Sequence, residues 1–229
     1  MLICIDAGHG GSDPGAAFEN LVEKNLNLAV ALRMKDSLKK YGINPVMTRE
    51  KDITLTSNDR VNIVKKCDIC LSIHFNSFNT NARGVETIYQ LENQEGFKLA
   101  REIATEITND IGLPLRRVFS RESDKQAGTD YYYMHRLTKP CTVVIVECLF
   151  LDNVEDRKKL NTDELGDQIA QGLLKYLDYV EVFLHNQQLS VMGKVENGIS
   201  YLPTRVLSER LGLKVDYDAN RKRVYLLKG

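Results

Sequence analysis

The first 179 residues predict an α/β fold, a mostly parallel twisted sheet with helices on both faces, and the remainder predicts a small α+β C-terminal module. Short apolar, β-branched runs alternate with segments whose apolar residues recur at helical spacing. Glycine or proline punctuates the junctions, and after Tyr179 the pattern changes to short strands at close intervals. Strand alternating with helix is the signature of a parallel sheet covered by helices.

Taken in order, Leu2-Ile3-Cys4-Ile5 is a buried strand ended by the turn Gly8-His9-Gly10-Gly11, and residues 12–15 continue that loop. Leu28, Ala31, Leu32 and Leu38 predict a helix over residues 21–41, stopped by Gly42. Residues 43–47 read as a second strand, and Pro45, lacking an amide donor, puts it at an edge. Thr56 or Ser57 caps a helix through Val61 and Val64, and residues 69–75 and 84–89 are strands. Leu99, Ile103, Ile107 and Ile111 mark one face of a helix stopping near Gly112 and Pro114. Residues 115–130 are charged and aperiodic, which reads as a long loop beside a site. Residues 142–148 form a strongly β-branched strand, and Leu165, Ile169, Leu173 and Leu177 a closing helix. In the tail, residues 182–189, 191–195, 214–217 and 223–227 read as strands, and 202–211 as a helix with Pro203 in its first turn. The domains are therefore 1–179 and 180–229. So small a tail buries little core alone and is expected to dock on the larger domain or on a second copy.

Composition narrows the function. With 43% of its residues hydrophobic, the chain has material for a core. Lys and Arg balance Asp and Glu at 31 each, which argues against a nucleic-acid binder driven by long-range attraction. No apolar stretch is long enough to span a membrane. The N-terminus lacks a basic segment, a long apolar run and a cleavage site, so the expectation is synthesis in the cytoplasm without a signal peptide. Five cysteines, an odd number, argue against a disulfide framework. Cys67 and Cys70 have the spacing of a metal or redox pair, but the motif leads into a strand, so buried fillers are expected.

Four polar residues stand where these elements begin or end. His9 follows the first strand, Glu23 opens the first long helix, and His74 and Glu147 close two further strands. Ligands of open α/β sheets sit beyond the carboxyl ends of the strands, so one topology brings all four to one edge. Two imidazoles and a carboxylate are a set that holds a catalytic zinc, and a further carboxylate is the proton carrier such a site needs. Each residue also has a plainer reading: a loop histidine, a core histidine, a solvated helix-start charge. Glu147 is the hardest to explain away, because a carboxylate after Val143-Val144-Ile145-Val146 is costly to bury without a partner or a task. His135, after three tyrosines, is expected to line a groove, and His185 to lie on the surface of the tail. Arg60 is expected to make a structural ion pair.

These segments resemble the zinc-dependent N-acetylmuramoyl-L-alanine amidases known as amidase type 3. The resemblance rests on Asp6-Ala7-Gly8-His9-Gly10-Gly11-Ser12-Asp13-Pro14-Gly15-Ala16, Glu23-Lys24-Asn25-Leu26-Asn27-Leu28, Ser72-Ile73-His74-Phe75-Asn76 and Val146-Glu147-Cys148-Leu149-Phe150, in the family's order. Ala7 stands where proline is usual and Leu149 where glycine is common. The resemblance implies one Zn²⁺ per chain on His9, Glu23 and His74, with Glu147 as catalytic acid/base. Asn76 and Asp6 are candidates for orienting the ligands. It implies cleavage of the amide between N-acetylmuramic acid and L-alanine in peptidoglycan. The alternatives are a zinc peptidase or deacetylase acting on peptidoglycan, or a non-catalytic wall-binding protein of the same fold. A phage or prophage endolysin, released to act on the cell wall, is the expected setting, with a sporulation or autolysis enzyme as the alternative. Residues 201–212, 215–218 and 222–225 resemble the stalk module at the N-terminus of copper amine oxidases. That implies wall attachment or self-association, as a homodimer through this module, with structural capping as the other reading.

Overall fold

β1 (Ile3–Ala7) is buried at every position, as its apolar run requires. A two-stranded ribbon, β2 (Ala17–Phe18) with β3 (Leu21–Val22), follows the glycine-rich turn. The chain then enters α1 (Glu23–Lys39), which buries Val30, Ala31, Met34 and Leu38. β4 (Val46–Met47) is followed by α2 (Ser57–Val64), whose cap is Thr56 in a reciprocal capping box with Asp59. Next come β5 (Ile69–Asn76), β6 (Val85–Tyr89) and α3 (Gln94–Ile111), with Gly112 in the left-handed conformation that ends a helix. β7 (Leu115–Phe119), the hairpin β8 (Glu122–Ser123) and β9 (Gln126–Asp130), and the short α4 (Tyr133–Arg136) lead into β10 (Thr142–Phe150). α5 (Val154–Arg157) and α6 (Thr162–Tyr176) close this part. The computed structural model describes the chain apart from residues 185, 186, 197, 203, 219–222 and 229. Two compact units result, Met1–Tyr176 and Leu177–Gly229.

The main sheet has the order β4-β1-β5-β10-β6-β7. β4, β1, β5 and β10 are parallel, whereas β6 runs antiparallel to β10 and carries β7 parallel to itself. The sheet is thus mostly parallel with two reversed strands at one side. Cys4, Cys70 and Val143 stand in register and pack with Val64 of α2 and Met134 of α4. The alternate set, Ile5, Leu71 and Val144, points to the opposite face, against the layer α1, α6 and α3. α6 lies in that layer close enough to α3 that a Cβ on Gly172 would come within 2.6 Å of the Ile103 Cα.

All five cysteines are free and buried. Cys4, Cys67, Cys70 and Cys141 share one apolar cluster. Burial, reinforced by neighbouring thiols, pushes Cys67 up to about 11 and Cys141 up to about 12, so they are neutral fillers.

The structure corrects several element boundaries. The first helix begins at Glu23, because Leu21 and Val22 pair with the preceding strand. The edge strand contracts to Val46–Met47, and the strands carrying His74 and Glu147 run on to Asn76 and Phe150. Residues 115–130, expected as a loop, contain three strands. β7 escapes the pattern of alternation because its consecutive Arg116 and Arg117 both reach the buried Glu86.

In the second unit, β11 (Tyr179–Leu184), β12 (Gln187–Glu196) and β13 (Ile199–Tyr201) form an antiparallel sheet. α7 (Thr204–Arg210) precedes the antiparallel pair β14 (Leu213–Asp218) and β15 (Arg223–Lys228). The single strand expected over 182–189 is two strands, since Leu184 pairs back onto Gln187. His185 and Pro203 lie outside the described residues.

Candidate metal centre and active site

His9 leaves β1 with a left-handed backbone, φ 58°. Its Nδ1 lies 2.8 Å from Asp13 Oδ2 and its Nε2 3.2 Å from Glu23 Oε1. Glu23, the first residue of α1, is buried. Its Oε1 lies 2.9 Å from His74 Nδ1 and accepts the Phe75 amide at 3.2 Å, while Oε2 accepts the Ala16 amide at 2.7 Å. Asn27, one turn further along α1, donates to Glu23 Oε1 at 3.4 Å and to the Gly8 carbonyl at 3.0 Å. The two imidazoles meet edge to face, with centroids 5.0 Å apart. Glycine is required beside them, since a Cβ on Gly8 would overlap the His74 ring, and one on Gly15 would meet Glu23 Oε2 at 2.5 Å.

Burial would push the Glu23 carboxyl up and both imidazoles down. Their mutual hydrogen bonds and charges prevail. Glu23 is held well below the usual carboxylate range, His9 is raised to about 9 with help from Asp13, and His74 is raised as well. One candidate donor atom from each of His9, Glu23 and His74 lies within 4.8 Å of the others, the one such group among the described residues. Two nitrogens and a carboxylate oxygen this close together are donors of the type and number that zinc takes.

Glu147 stands directly beside His74, its register partner across β10 and β5. Its Oε2 is buried without a hydrogen-bond partner. Burial pushes its carboxyl up to about 7, with His74 acting against that and Glu23 and Glu86 adding to it. A cavity of about 360 Å³ opens above, floored by His9, His74 and Glu147 and walled by Leu55 and Ser57 on one side and Tyr132, Tyr133 and Met134 on the other.

Asp6 and Arg60 brace the loop from below. Arg60 Nη1 donates to Asp6 Oδ1 at 2.5 Å and to the Ala7 carbonyl at 2.9 Å, while Nη2 donates to the His9 carbonyl. Thr48 and Ser72 hydroxyls donate to the two Asp6 oxygens at 2.7 and 2.6 Å. Asp6 therefore acts on the loop backbone, not on a ligand side chain. Arg60 makes the ion pair expected of it and also lines the cavity. Asn76 donates to Glu86 Oε2 at 3.1 Å, one strand away from Glu147. His135, expected to line a groove, is instead completely buried and absent from the cavity wall, because α4 turns it into the interior. Burial lowers it to about 4.

Residues 3–179 match the family of N-acetylmuramoyl-L-alanine amidases called Amidase_3. The chain belongs to this family. Its activity is accordingly that of an N-acetylmuramoyl-L-alanine amidase, a hydrolase of peptidoglycan. The chain is 34% identical to the uncharacterized protein YqiI of Bacillus subtilis, over 77% of this chain and 82% of that one. It is 31% identical to the N-acetylmuramoyl-L-alanine amidase LytC of the same organism, over 75% of this chain but 34% of LytC. Among solved structures, Cwp6 from Clostridium difficile superposes with a TM-score of 0.72 at 33% identity, covering 77% of this chain and 29% of Cwp6.

Several residues around this candidate site escape sequence reasoning. Arg49 is buried, and its guanidinium holds the Ala7 and Gly8 carbonyls, both at 2.9 Å. In sequence it begins the charged run Arg49-Glu50-Lys51-Asp52 and looks solvated. Asp13 carries a weak signal, a carboxylate four residues beyond a loop histidine. Tyr132 and Tyr133 are visible only as an aromatic cluster.

Proposed function

We propose that the chain cuts the amide between N-acetylmuramic acid and L-alanine with zinc held by His9, Glu23 and His74, and with Glu147 carrying the proton. The observation that supports this most strongly is the pairing of a three-donor cluster with a carboxylate, one strand away, whose buried Oε2 has no hydrogen-bond partner. Zinc bound there would supply Lewis acidity for the scissile carbonyl and the attacking water. Glu147 takes the proton of that water as it attacks the lactyl carbonyl of muramic acid. It then delivers the proton to the departing amine of L-alanine. An acidity close to neutral suits a group that must both accept and return a proton. Asp13, Asn27 and the Phe75 amide fix His9 and Glu23 in the orientation the ion needs. The braces from Arg49 and Arg60 keep the His9 loop from relaxing out of its left-handed conformation.

Glu147→Gln should keep the fold and the bound metal yet lose hydrolysis by at least about a hundredfold, the usual scale for a general base. Near-normal turnover in that variant would remove Glu147 from the mechanism. Mass spectrometry of digested peptidoglycan identifies the bond. Free stem peptides beginning with L-alanine support the amidase reading, whereas internal peptide cuts or deacetylated sugars would replace it. The same reading extends to lysis of the wall by an endolysin, with the second unit supplying wall attachment or self-association. Clearing of a cell-wall suspension that a chelator abolishes is the expected result.

A further inference from the structure

Reading across the sheet from the candidate metal centre, register partners form one row on one face: His74 on β5, Glu147 on β10, Glu86 on β6 and Arg117 on β7. The reversal of β6 brings Glu86 to this end of the sheet. Glu86 is 1% exposed and is held by two guanidinium groups. Arg116 reaches its Oε1 and lies over the Phe150 ring, with its centroid 5.4 Å away. Arg117 donates from Nε to Oε1 at 2.7 Å and from Nη2 to Oε2 at 3.3 Å, and stacks on Phe119 at 3.9 Å. Two cations thus meet one carboxylate, and a positive charge is left over. It resides on the more open side chain, since Arg117 is 50% exposed against 34% for Arg116. Of the five guanidinium N–H donors of Arg117, only two are engaged by Glu86, and the fork is locked in place by ring and carboxylate.

We propose that Arg117 is a specificity-determining residue that receives a carboxylate of the stem peptide, the free α-carboxylate of the acidic second residue. This rests on the amidase reading above. Neighbouring strands are about 4.8 Å apart, so Arg117 lies about 10 Å from the Glu147 backbone. An extended peptide advances about 3.5 Å per residue, so the second residue past the scissile amide arrives within reach of the long arginine side chain. The chemistry agrees with the distance. Glu147 and Glu86 stand side by side in this row, and a substrate carboxylate could settle beside them only against a fixed surplus cation. Arg116 also holds Glu86, so the buried carboxylate stays paired while Arg117, still in place, offers its remaining donors to the substrate.

The test uses the zinc-loaded full chain and two soluble muramoyl-peptides that differ only in the second stem residue, D-glutamate or its α-carboxamide. The wild type should favour the carboxylate by about tenfold in kcat/KM, the scale of one charge-assisted hydrogen bond. Arg117→Gln should bring the ratio near one, because the carboxylate substrate loses more than the carboxamide does. Arg117→Lys should restore part of the preference. The ratio is insensitive to a general loss of folded enzyme, which lowers both rates alike. Cleavage without preference, or a preference that survives Arg117→Gln, overturns the subsite alone. Failure of the wild type to cleave either substrate overturns the amidase reading and the subsite with it.

Discussion

At the level of single residues, the site is a contest between burial and charge. Glu147 is pushed up by burial and then further by Glu23 and Glu86, while His74 pulls it down. Replacing Glu86 by Gln removes a negative charge and frees two arginines. Both changes favour the ionised form of Glu147, so the acidic limb of the pH–rate profile should move to lower pH. A limb that stays in place or moves upward would show that Glu86 does not set the acidity of Glu147. His9, Glu23, His74 and Glu147 were legible in the sequence because each stands at a junction where strand or helix meets turn. Asn27 and Arg49 were not, because their roles are to reach carbonyls and a carboxylate brought near only by folding. A side chain that acts through space on distant backbone leaves no local periodicity to read.

The elements tell a similar story. β1 and α2 are joined by the buried pair Asp6 and Arg60, with 2% and 5% of their side chains exposed. Burial pushes the Asp6 carboxyl up, but the Arg60 charge and the Ser72 and Thr48 hydroxyls hold it below its ordinary value of 3.8. A carboxylate depressed in the folded state stabilises fully above its unfolded pKa and loses that contribution as pH falls through the folded one. Asp6→Asn should therefore cost about 3 kcal/mol at neutral pH, where it leaves a buried guanidinium without its counter-charge. The difference from wild type should shrink below about pH 4. Urea unfolding at several pH values checks both, and a penalty independent of pH would refute the electrostatic account. The strongly apolar strands and the helix with Leu99, Ile103 and Ile107 were plain from pattern alone. β7 to β9 were not, since strands built on paired charges resemble loops when read one residue at a time.

On the scale of the whole molecule, the carboxyl ends of the parallel strands gather the candidate site, with His9, His74 and Glu147 side by side there. If zinc binds as proposed, its uptake displaces protons that the clustered carboxylates hold on the imidazoles, and His9 without metal is raised to about 9. The affinity for zinc should consequently climb as pH rises towards that value, by up to about tenfold per unit for each proton displaced. Competition titrations with a chromophoric chelator measure this, and an affinity flat between pH 6 and 9 would contradict it. The change in sequence character falls after Tyr179 and the compact units part after Tyr176, whereas the pairing of β11 with β12 was hidden inside one continuous run. The buried thiols have a practical corollary. Buried in the folded chain, they offer an alkylating reagent nothing while the sheet stays shut. Each modification then records one excursion to an open state, so the protein carries its own clock for how often its core breathes.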